Sequence, residues 1–312
     1  MELTYEQWKI ARKDIKRRMS TTGWALLIYY GIMNVAVIGW MVAETVISLL
    51  QGAISGDFDA IERSVMQSAE SGWGYFLAAA VGFLILLIWK KPRYLREEVF
   101  AKGAPMKTGD FFVILSVFLA GQMVFQLGST ILELMLNPFG YSIVEGMESL
   151  QIDPDNFSMF LYAGILAPVA EEILFRGLVL RSLMPFGKRF AIFASAFLFG
   201  LFHGNLVQAP YAFAVGLVLG YVAAEYNILW AMVLHMINNL VLGDLLYRLL
   251  GGLPNEMTNL IVWGIILAFT VAAIILMINR RKKIAAWLRQ EKMAMVRCPS
   301  VSMRSSFIST SP

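Results

Sequence analysis

Long apolar stretches alternate with short polar stretches along most of the chain. An apolar run of about 20 residues is long enough for a helix to cross the hydrocarbon core of a bilayer. The pattern predicts eight such helices, at about residues 23–50, 73–89, 111–136, 158–180, 190–207, 209–224, 228–249 and 259–278. We therefore expect an all-α protein, a polytopic helical bundle embedded in a membrane.

The basic residues of the connecting segments predict the orientation of this bundle. Lys and Arg concentrate in the cytoplasmic loops of membrane proteins. All but three of the 26 Lys and Arg residues fall in alternate connecting segments, namely 1–22, 90–110, 181–189, 225–227 and 279–312. Eight helices place both termini on that same side, so we predict cytoplasmic termini and a location in the plasma membrane. We also expect residues 1–21 to form an amphipathic helix on the membrane surface.

The composition agrees with a membrane protein. Hydrophobic residues make up 58% of the chain and the mean hydropathy is +0.64, whereas soluble domains are about 45–50% apolar. The basic loops explain the pI of about 9.1, which therefore does not indicate nucleic acid; the partner that the composition predicts is the lipid bilayer. The single cysteine, Cys298, excludes an internal disulfide.

The fourth predicted helix carries charges that a bilayer disfavours. Glu171, Glu172 and Arg176 lie in the middle of an apolar stretch, where one charged side chain costs about 2.5–3.5 kcal/mol on insertion scales. Glu172 and Arg176 share a helix face and can neutralise each other. Glu171 points about 100° away and has no partner in its own helix. The simpler explanation is a buried ion pair with a packing carboxylate; the functional one is an intramembrane active site.

The two histidines of the chain both lie in apolar stretches. Depths counted along the helices place His203, His235 and Glu171 in one slab of the membrane. Asn239 follows His235 by one helical turn and shares its face, Asn238 points elsewhere and is expected to be structural, and Phe199 precedes His203 by one turn. Either histidine could instead serve only as a hydrogen-bond partner between helices.

These side chains fit hydrolysis by two different mechanisms. A carboxylate and an imidazole can activate a water molecule as general base, while an imidazole and an amide can stabilise a tetrahedral oxyanion. Alternatively, two histidines and a glutamate form a zinc ligand set, here His203, His235 and Glu171. The residues alone do not separate the mechanism that needs no cofactor from the zinc mechanism.

Three motifs give the sequence a family resemblance. EEILFR (Glu171 to Arg176), FGLFH (Phe199 to His203) and HMINN (His235 to Asn239) resemble the EExxxR, FxxxH and HxxxN motifs of the CAAX-protease and bacteriocin-processing (CPBP or Abi) family, in the same order. The resemblance implies an intramembrane endopeptidase similar to type II CAAX prenyl endopeptidases, which remove the last three residues of prenylated CAAX proteins.

The resemblance also implies roles for the motif residues. Glu171 and His203 would activate water, and His235 and Asn239 would bind the oxyanion. Glu172 and Arg176 would hold this framework, with Phe199 beside it. Zinc remains an alternative for the same site, and the implied substrate is a prenylated or other membrane-associated protein or peptide.

Two other functions compete with proteolysis. One is a non-catalytic membrane scaffold or bacteriocin self-immunity protein, and the other is a proton-coupled transporter; the internal repeats typical of transporters are not evident. We divide the chain into a basic N-terminal segment with the first three helices (1–157), a catalytic core (158–250), and a last helix with a basic, Ser-rich tail (251–312).

Overall fold

The computed structural model describes residues 5–55, 62, 71–143 and 156–294, and within these ranges the chain is helical and contains no strand. Eight helical runs are present there, each overlapping one of the eight predicted helices: α1 (Tyr5–Ser55), α2 (Trp73–Tyr94, continued by the π-helical turn Leu95–Val99), α3 (108–136), α4 (157–183), α5 (Lys188–Phe202), α6 (Gln208–Glu225), α7 (228–250) and α8 (Asn255–Ala294). The predicted all-α class is confirmed.

Only some of these eight helical runs are both long enough and apolar enough to cross a membrane. Among the described residues three segments meet both conditions, Trp8–Gln51, Thr108–Phe139 and Asn255–Arg289. A fourth is Trp73–Trp89 if it is counted together with Pro92–Val99, across a bend of 98°. The number of eight spans and the cytoplasmic termini therefore stay predictions. The Ser-rich tail after residue 294 and the acidic segment 144–155 lie outside the described residues.

The N-terminal basic segment differs from its prediction. It does not form a separate helix but is the first part of α1, which runs without a break for 51 residues. No proline occurs between Tyr5 and Ser55 to stop the helix. The Arg18 guanidinium donates to the backbone carbonyl of Ser182 at 3.4 Å and lies 5.5 Å from the Phe186 ring centre. The basic end of α1 thus packs against the end of α4.

Helix α4 lies at the centre of the bundle. All eight residues of Ile173–Leu180, the charged Arg176 among them, are buried. The Ser195 hydroxyl of α5 donates to the Phe175 carbonyl at 2.8 Å, an interhelical bond of the kind common in membrane bundles. Helices α5 and α6 come close at Gly200, where a Cβ would lie 2.7 Å from the Ala209 carbonyl oxygen. Small residues of this kind allow membrane helices to pack with backbones in contact.

Both helices that carry the predicted acidic and amide residues are interrupted by π-helical segments. In α4 these are Tyr162–Leu166 and Ile173–Leu180, and in α7 the segment is Ile237–Leu245. Hydrogen bonds in a π segment run from residue i to i+5, and such segments often occur at functional sites. A π segment therefore shifts each backbone N–H to a carbonyl one residue further back than in an α-helix. This shift affects the carbonyl that lies opposite Pro168.

Candidate active site

Glu172 is the centre of a buried charge cluster. Its Oε1 accepts from Arg176 Nη1 at 2.9 Å and lies 3.0 Å from His235 Nδ1. The side chains of Glu172 and Arg176 are both 0% exposed. The predicted pairing within α4 is therefore present, and it extends to α7. Because ionised Glu172 can only accept hydrogen bonds, it fixes the proton of neutral His235 on Nδ1.

Arg176 joins α4 to α5 and α6. Its Nη2 donates to the Gly216 carbonyl at 3.2 Å, and its guanidinium carbon lies 4.4 Å from the centre of the Phe199 ring. That distance is well within the range of a cation–π interaction. Gly216 makes the approach possible, since a Cβ there would lie 3.1 Å from Phe199 Cδ1. The planar guanidinium is thus held on two sides by groups from other helices.

The Phe199 ring contacts both histidines. Its centroid is 4.8 Å from that of His203 and 5.7 Å from that of His235, with interplanar angles of 86° and 88°. Edge-to-face contacts of this kind are favourable for aromatic rings. Phe199 therefore links the charge cluster to His203, which makes no direct hydrogen bond or ion pair with Glu171 or His235 in the part of the chain that the structure describes.

The backbone of Phe199 fixes the tautomer of His203. His203 Nδ1 is 2.8 Å from the Phe199 carbonyl oxygen. A carbonyl only accepts, so Nδ1 carries the proton of the neutral ring, and Nε2 keeps its lone pair. His203 directly follows the last residue of α5 as its C-cap, and Gly204, with a positive φ of 69°, comes next and ends the helix. A helix end thus presents a nitrogen that can accept a proton from water.

Glu171 is the accessible carboxylate of the pair. Its side chain is 23% exposed, and its Oε2 lies 3.7 Å from His235 Nε2. This separation is too long for a direct hydrogen bond, and the two groups form an ion pair only when His235 is protonated. The Glu171 charge also acts on the phenols of Tyr29 and Tyr162 from α1 and α4. A carboxylate without a direct partner is available to hold water.

Asn239 binds the N-terminal part of α4, before the two glutamates in the chain. Its Nδ2 donates to the Ala163 carbonyl at 2.9 Å, and its Oδ1 accepts from Asn238 Nδ2 at 3.1 Å. Gly164 allows α7 to come this close, because a Cβ on Gly164 would lie 2.3 Å from Leu240 Cδ2. His235 and Asn239 therefore both face α4, one beside the glutamates and one beside Ala163.

The Ala163 carbonyl is free for Asn239 because of a proline. The Ala167 N–H bonds to the Tyr162 carbonyl, in the i to i+5 register of the π segment. In that register the next carbonyl, Ala163, is opposite Pro168, which has no N–H. The helix thus supplies no donor for this carbonyl at that position, and the Asn239 amide takes it.

An apolar cavity lies beside Glu171. It has a volume of about 530 Å³ and is lined by α1, α2 and α4, including Trp24, Tyr29, Phe83, Ala170 and Leu174. None of Glu171, His203, His235 and Asn239 lines it. Ala170 and Tyr29 connect it to the carboxylate, since one precedes Glu171 in the chain and the other lies within its electrostatic reach. The cavity can hold an apolar group next to the charged cluster.

The alternative zinc set is not assembled. Among the described side chains no three His, Cys, Asp or Glu groups lie together in an arrangement that could hold a metal ion. Glu171 and His235 are adjacent, but no hydrogen bond or ion pair joins His203 to either of them within the described residues. The residues present do not fit a three-ligand zinc site in this arrangement.

Two aspects of the site were not anticipated from the sequence. Tyr29 and Tyr162 stand near Glu171 without belonging to a motif, and Asn238, expected to point elsewhere, touches Asn239. The only feature of the sequence that pointed to Tyr29 was a phenol hydroxyl within an apolar predicted helix. It was weak, because tyrosines are also common in membrane helices as interface anchors.

One comparison with known proteins matches the segment of the chain that carries these residues. Residues 153–241 match the Rce1-like family, described as type II CAAX prenyl endopeptidase Rce1-like. The match covers under a third of the chain but includes all seven motif residues discussed above.

This match confirms, for residues 153–241, the family resemblance carried by the motifs. The matched family is one of CAAX-type endopeptidases, and the described part of the chain contains three helices long and apolar enough to cross a membrane. Searches of curated proteins and of solved structures returned no significant match.

Proposed function

We propose that the protein is an endopeptidase that hydrolyses peptide bonds of membrane-associated proteins or peptides, including prenylated CAAX-type substrates. One observation carries the proposal: the Glu171 carboxylate is partly exposed and lies beside His235. Both residues belong to the segment that matches the family. In its buried neighbour Glu172, one carboxylate oxygen already binds both Arg176 and His235. The two adjacent glutamates therefore have different environments, one suited to chemistry and one to structure.

In the proposed reaction, Glu171 and His203 Nε2 take a proton from a water molecule as its oxygen attacks the scissile carbonyl carbon. The carbonyl π bond becomes an oxyanion, which the Asn239 amide and His235 Nε2 stabilise by hydrogen bonding. The carbon–nitrogen bond then breaks, and the departing amine receives the proton that the general base had taken. Acid and amine products leave, and the groups return to their starting protonation.

His235 needs a second proton to act as a donor in this scheme. Its Nδ1 proton is directed to Glu172, so donation from Nε2 requires the imidazolium form. The two carboxylates beside this ring are Glu171 at 3.7 Å and Glu172 at 3.0 Å. The charge on His235 would in turn attract the developing oxyanion.

The apolar cavity supports a substrate with an apolar group near the scissile bond. Its lining of aromatic and aliphatic side chains from α1, α2 and α4 suits a lipid chain or large apolar residues. We propose that this group lies in the cavity while the peptide bond reaches Glu171. The cytoplasmic side is the proposed side of entry, because the basic segments predict it to be nearer to Glu171.

The decisive experiment compares purified wild type with Glu171→Gln on membrane-embedded peptides, both prenylated and unprenylated. We expect cleavage by wild type and a loss of about 100-fold or more in the variant, since a positioned general base contributes about 10²–10⁴ in rate. Retained cleavage by Glu171→Gln would contradict the assigned role. Absence of cleavage by wild type on every peptide would favour the scaffold function.

We further propose that hydrolysis needs no metal ion. In that case dialysis against a strong zinc chelator, followed by assay with chelator present, leaves turnover unchanged. Loss of activity that returns on addition of zinc would restore the metal alternative with His203, His235 and Glu171 as ligands.

A further inference from the structure

A chain of polar side chains crosses the bundle from α3 to α4 through α6 and α7. Gln122 Nε2 donates to the Tyr211 hydroxyl at 2.6 Å and to Asn238 Oδ1 at 2.8 Å. The Tyr211 hydroxyl donates to the same Asn238 oxygen at 2.7 Å. Asn238 Nδ2 donates to Asn239 Oδ1, and Asn239 Nδ2 donates to the Ala163 carbonyl. Every contact lies within ordinary hydrogen-bond distance.

The direction of this chain is fixed at its Ala163 end. A backbone carbonyl only accepts, so Asn239 must turn its amide nitrogen towards Ala163 and its oxygen towards Asn238. Asn238 must then donate to Asn239, which leaves its own oxygen facing α3 and α6. That oxygen is satisfied by two donors, Gln122 Nε2 and the Tyr211 hydroxyl. Reversing either asparagine would place two acceptors against each other.

One consequence concerns the second N–H of Asn239. An amide nitrogen carries two hydrogens, and Ala163 takes one of them. The other is available to an oxyanion only while the amide keeps this orientation. If Asn238 lost its donors, its amide could rotate and turn its own oxygen towards Asn239 Oδ1, and the repulsion between these two acceptors would displace the Asn239 amide from this orientation.

We propose that Gln122 and Tyr211 are positioning residues which orient the Asn239 amide through Asn238, so that its free N–H meets the oxyanion. This inference rests on the proposed hydrolysis. Gln122 lies on α3, outside the segment that matches the family, and therefore gives the N-terminal half of the chain a part in the reaction. The Tyr211 ring is held separately by an edge contact with Phe125, with centroids 5.2 Å apart.

Both donors can be removed with little change in packing. Tyr211→Phe deletes the hydroxyl and keeps the ring on Phe125, while Gln122→Leu keeps the approximate length of the side chain. Each single variant leaves Asn238 Oδ1 with one donor, and the double variant leaves it with none. We expect kcat to fall about 3-fold in each single variant and about 10-fold or more in the double variant.

The distinction between kcat and KM identifies the role. An interaction made only with the transition state lowers kcat and leaves KM unchanged, so KM should stay within about 2-fold in all three variants. Gln126→Leu, one turn further along α3, is the matched control and should retain wild-type kcat. A rise in KM alone at Gln122 or Tyr211 would overturn the proposal.

The closing experiment repeats the substitutions in an Asn239→Ala background. If Gln122 and Tyr211 act through Asn239, its removal lowers kcat on its own and the further substitutions then change nothing. If the substitutions lower kcat by the same factors in the Asn239→Ala background as in wild type, the two residues do not act through Asn239. If the double variant does not fold, the same comparison of kcat is made with each single variant in the Asn239→Ala background.

The outcomes separate this inference from the function on which it rests. When wild type cleaves and Glu171→Gln does not, multiplicative losses overturn only the positioning role. When wild type cleaves no peptide, the proposed hydrolysis and the positioning role both fail.

Discussion

At the scale of single residues, the site depends on the difference between two adjacent glutamates. Glu172 is buried and is shared by Arg176 and His235, whereas Glu171 is 23% exposed and accepts no hydrogen bond from the residues that the structure describes. Removing a partner from a buried ion pair leaves an uncompensated charge, while altering an accessible carboxylate does not. Stability and activity should therefore respond differently to the same kind of substitution at neighbouring positions.

We predict that Glu172→Ala and Arg176→Ala destabilise the fold by about 3–5 kcal/mol and also reduce turnover, whereas Glu171→Gln lowers turnover with little change in thermal stability. Glu171→Gln keeps the shape of the side chain and removes the base. Thermal unfolding in detergent, measured beside turnover, tests the division. Equal loss of stability in all three variants would refute it.

The Phe199 ring provides a second prediction, because it touches Arg176, His203 and His235 at once. Phe199→Leu removes the ring but keeps an apolar side chain, so we expect turnover to fall about 10-fold or more as the histidines lose their common support. Phe193→Leu is the control, since Phe193 lies on the same helix and is 55% exposed. Similar losses from both variants would mean that Phe199 has no special role.

At the scale of helices, much was evident from the sequence and part was not. Apolar stretches located all eight helical runs, and i,i+4 spacing predicted the pairing of Glu172 with Arg176. The additional bond from Glu172 to His235 depends on which helices become neighbours, and local periodicity does not contain that information. The π segments were not predicted either, so Asn238 was assigned to a face away from Asn239 although the two side chains touch.

Pro168 gives the clearest test at this scale. Pro168→Ala supplies the missing N–H, which can then bond to the Ala163 carbonyl and compete with Asn239. We expect unchanged or higher thermal stability together with lower turnover. Pro210→Ala is the control, because Pro210 lies in the first turn of α6, where backbone N–H groups have no helical acceptor. Lower stability with unchanged turnover in Pro168→Ala would contradict this account of the carbonyl.

The closeness of α4 and α7 can be tested at Gly164. Gly164→Ala places a methyl group 2.3 Å from Leu240 Cδ2, and overpacking of this kind costs about 1–3 kcal/mol. We expect lower stability and turnover, with partial recovery when Leu240→Ala is added. Gly128→Ala is the control, because nothing lies within 4 Å of its added Cβ. Failure of the second substitution to recover activity would argue against a local clash.

At the scale of the whole molecule, the remaining question is which side of the membrane the site faces. Three described segments are long and apolar enough to cross, and a fourth is bent, so the predicted eight-span topology rests on the distribution of basic residues. That distribution places the segments around residues 100 and 185 in the cytoplasm. It also places the end of α4, and with it the shorter route to Glu171, on that side.

We predict that single cysteines at positions 100 and 185, in a Cys298→Ser background, react with an impermeant thiol reagent only after cells are permeabilised. A cysteine at position 141, in the predicted outer segment, is the control and should react in intact cells. Labelling of intact cells at position 100 or 185 would overturn the topology and the proposed cytoplasmic entry.

The unequal exposure of the adjacent carboxylates also has a consequence for chemical labelling. Carbodiimides activate carboxyl groups that they can reach, and the Glu171 side chain is 23% exposed and directly follows Ala170, which lines the apolar cavity. Glu172, at 0% exposed, is closed to the same reagent. In the peptide that contains both residues, covalent modification should therefore be confined to Glu171. A long apolar substrate that fills the cavity should protect this glutamate, so that the labelled fraction reports occupancy of the site even when no bond is cleaved.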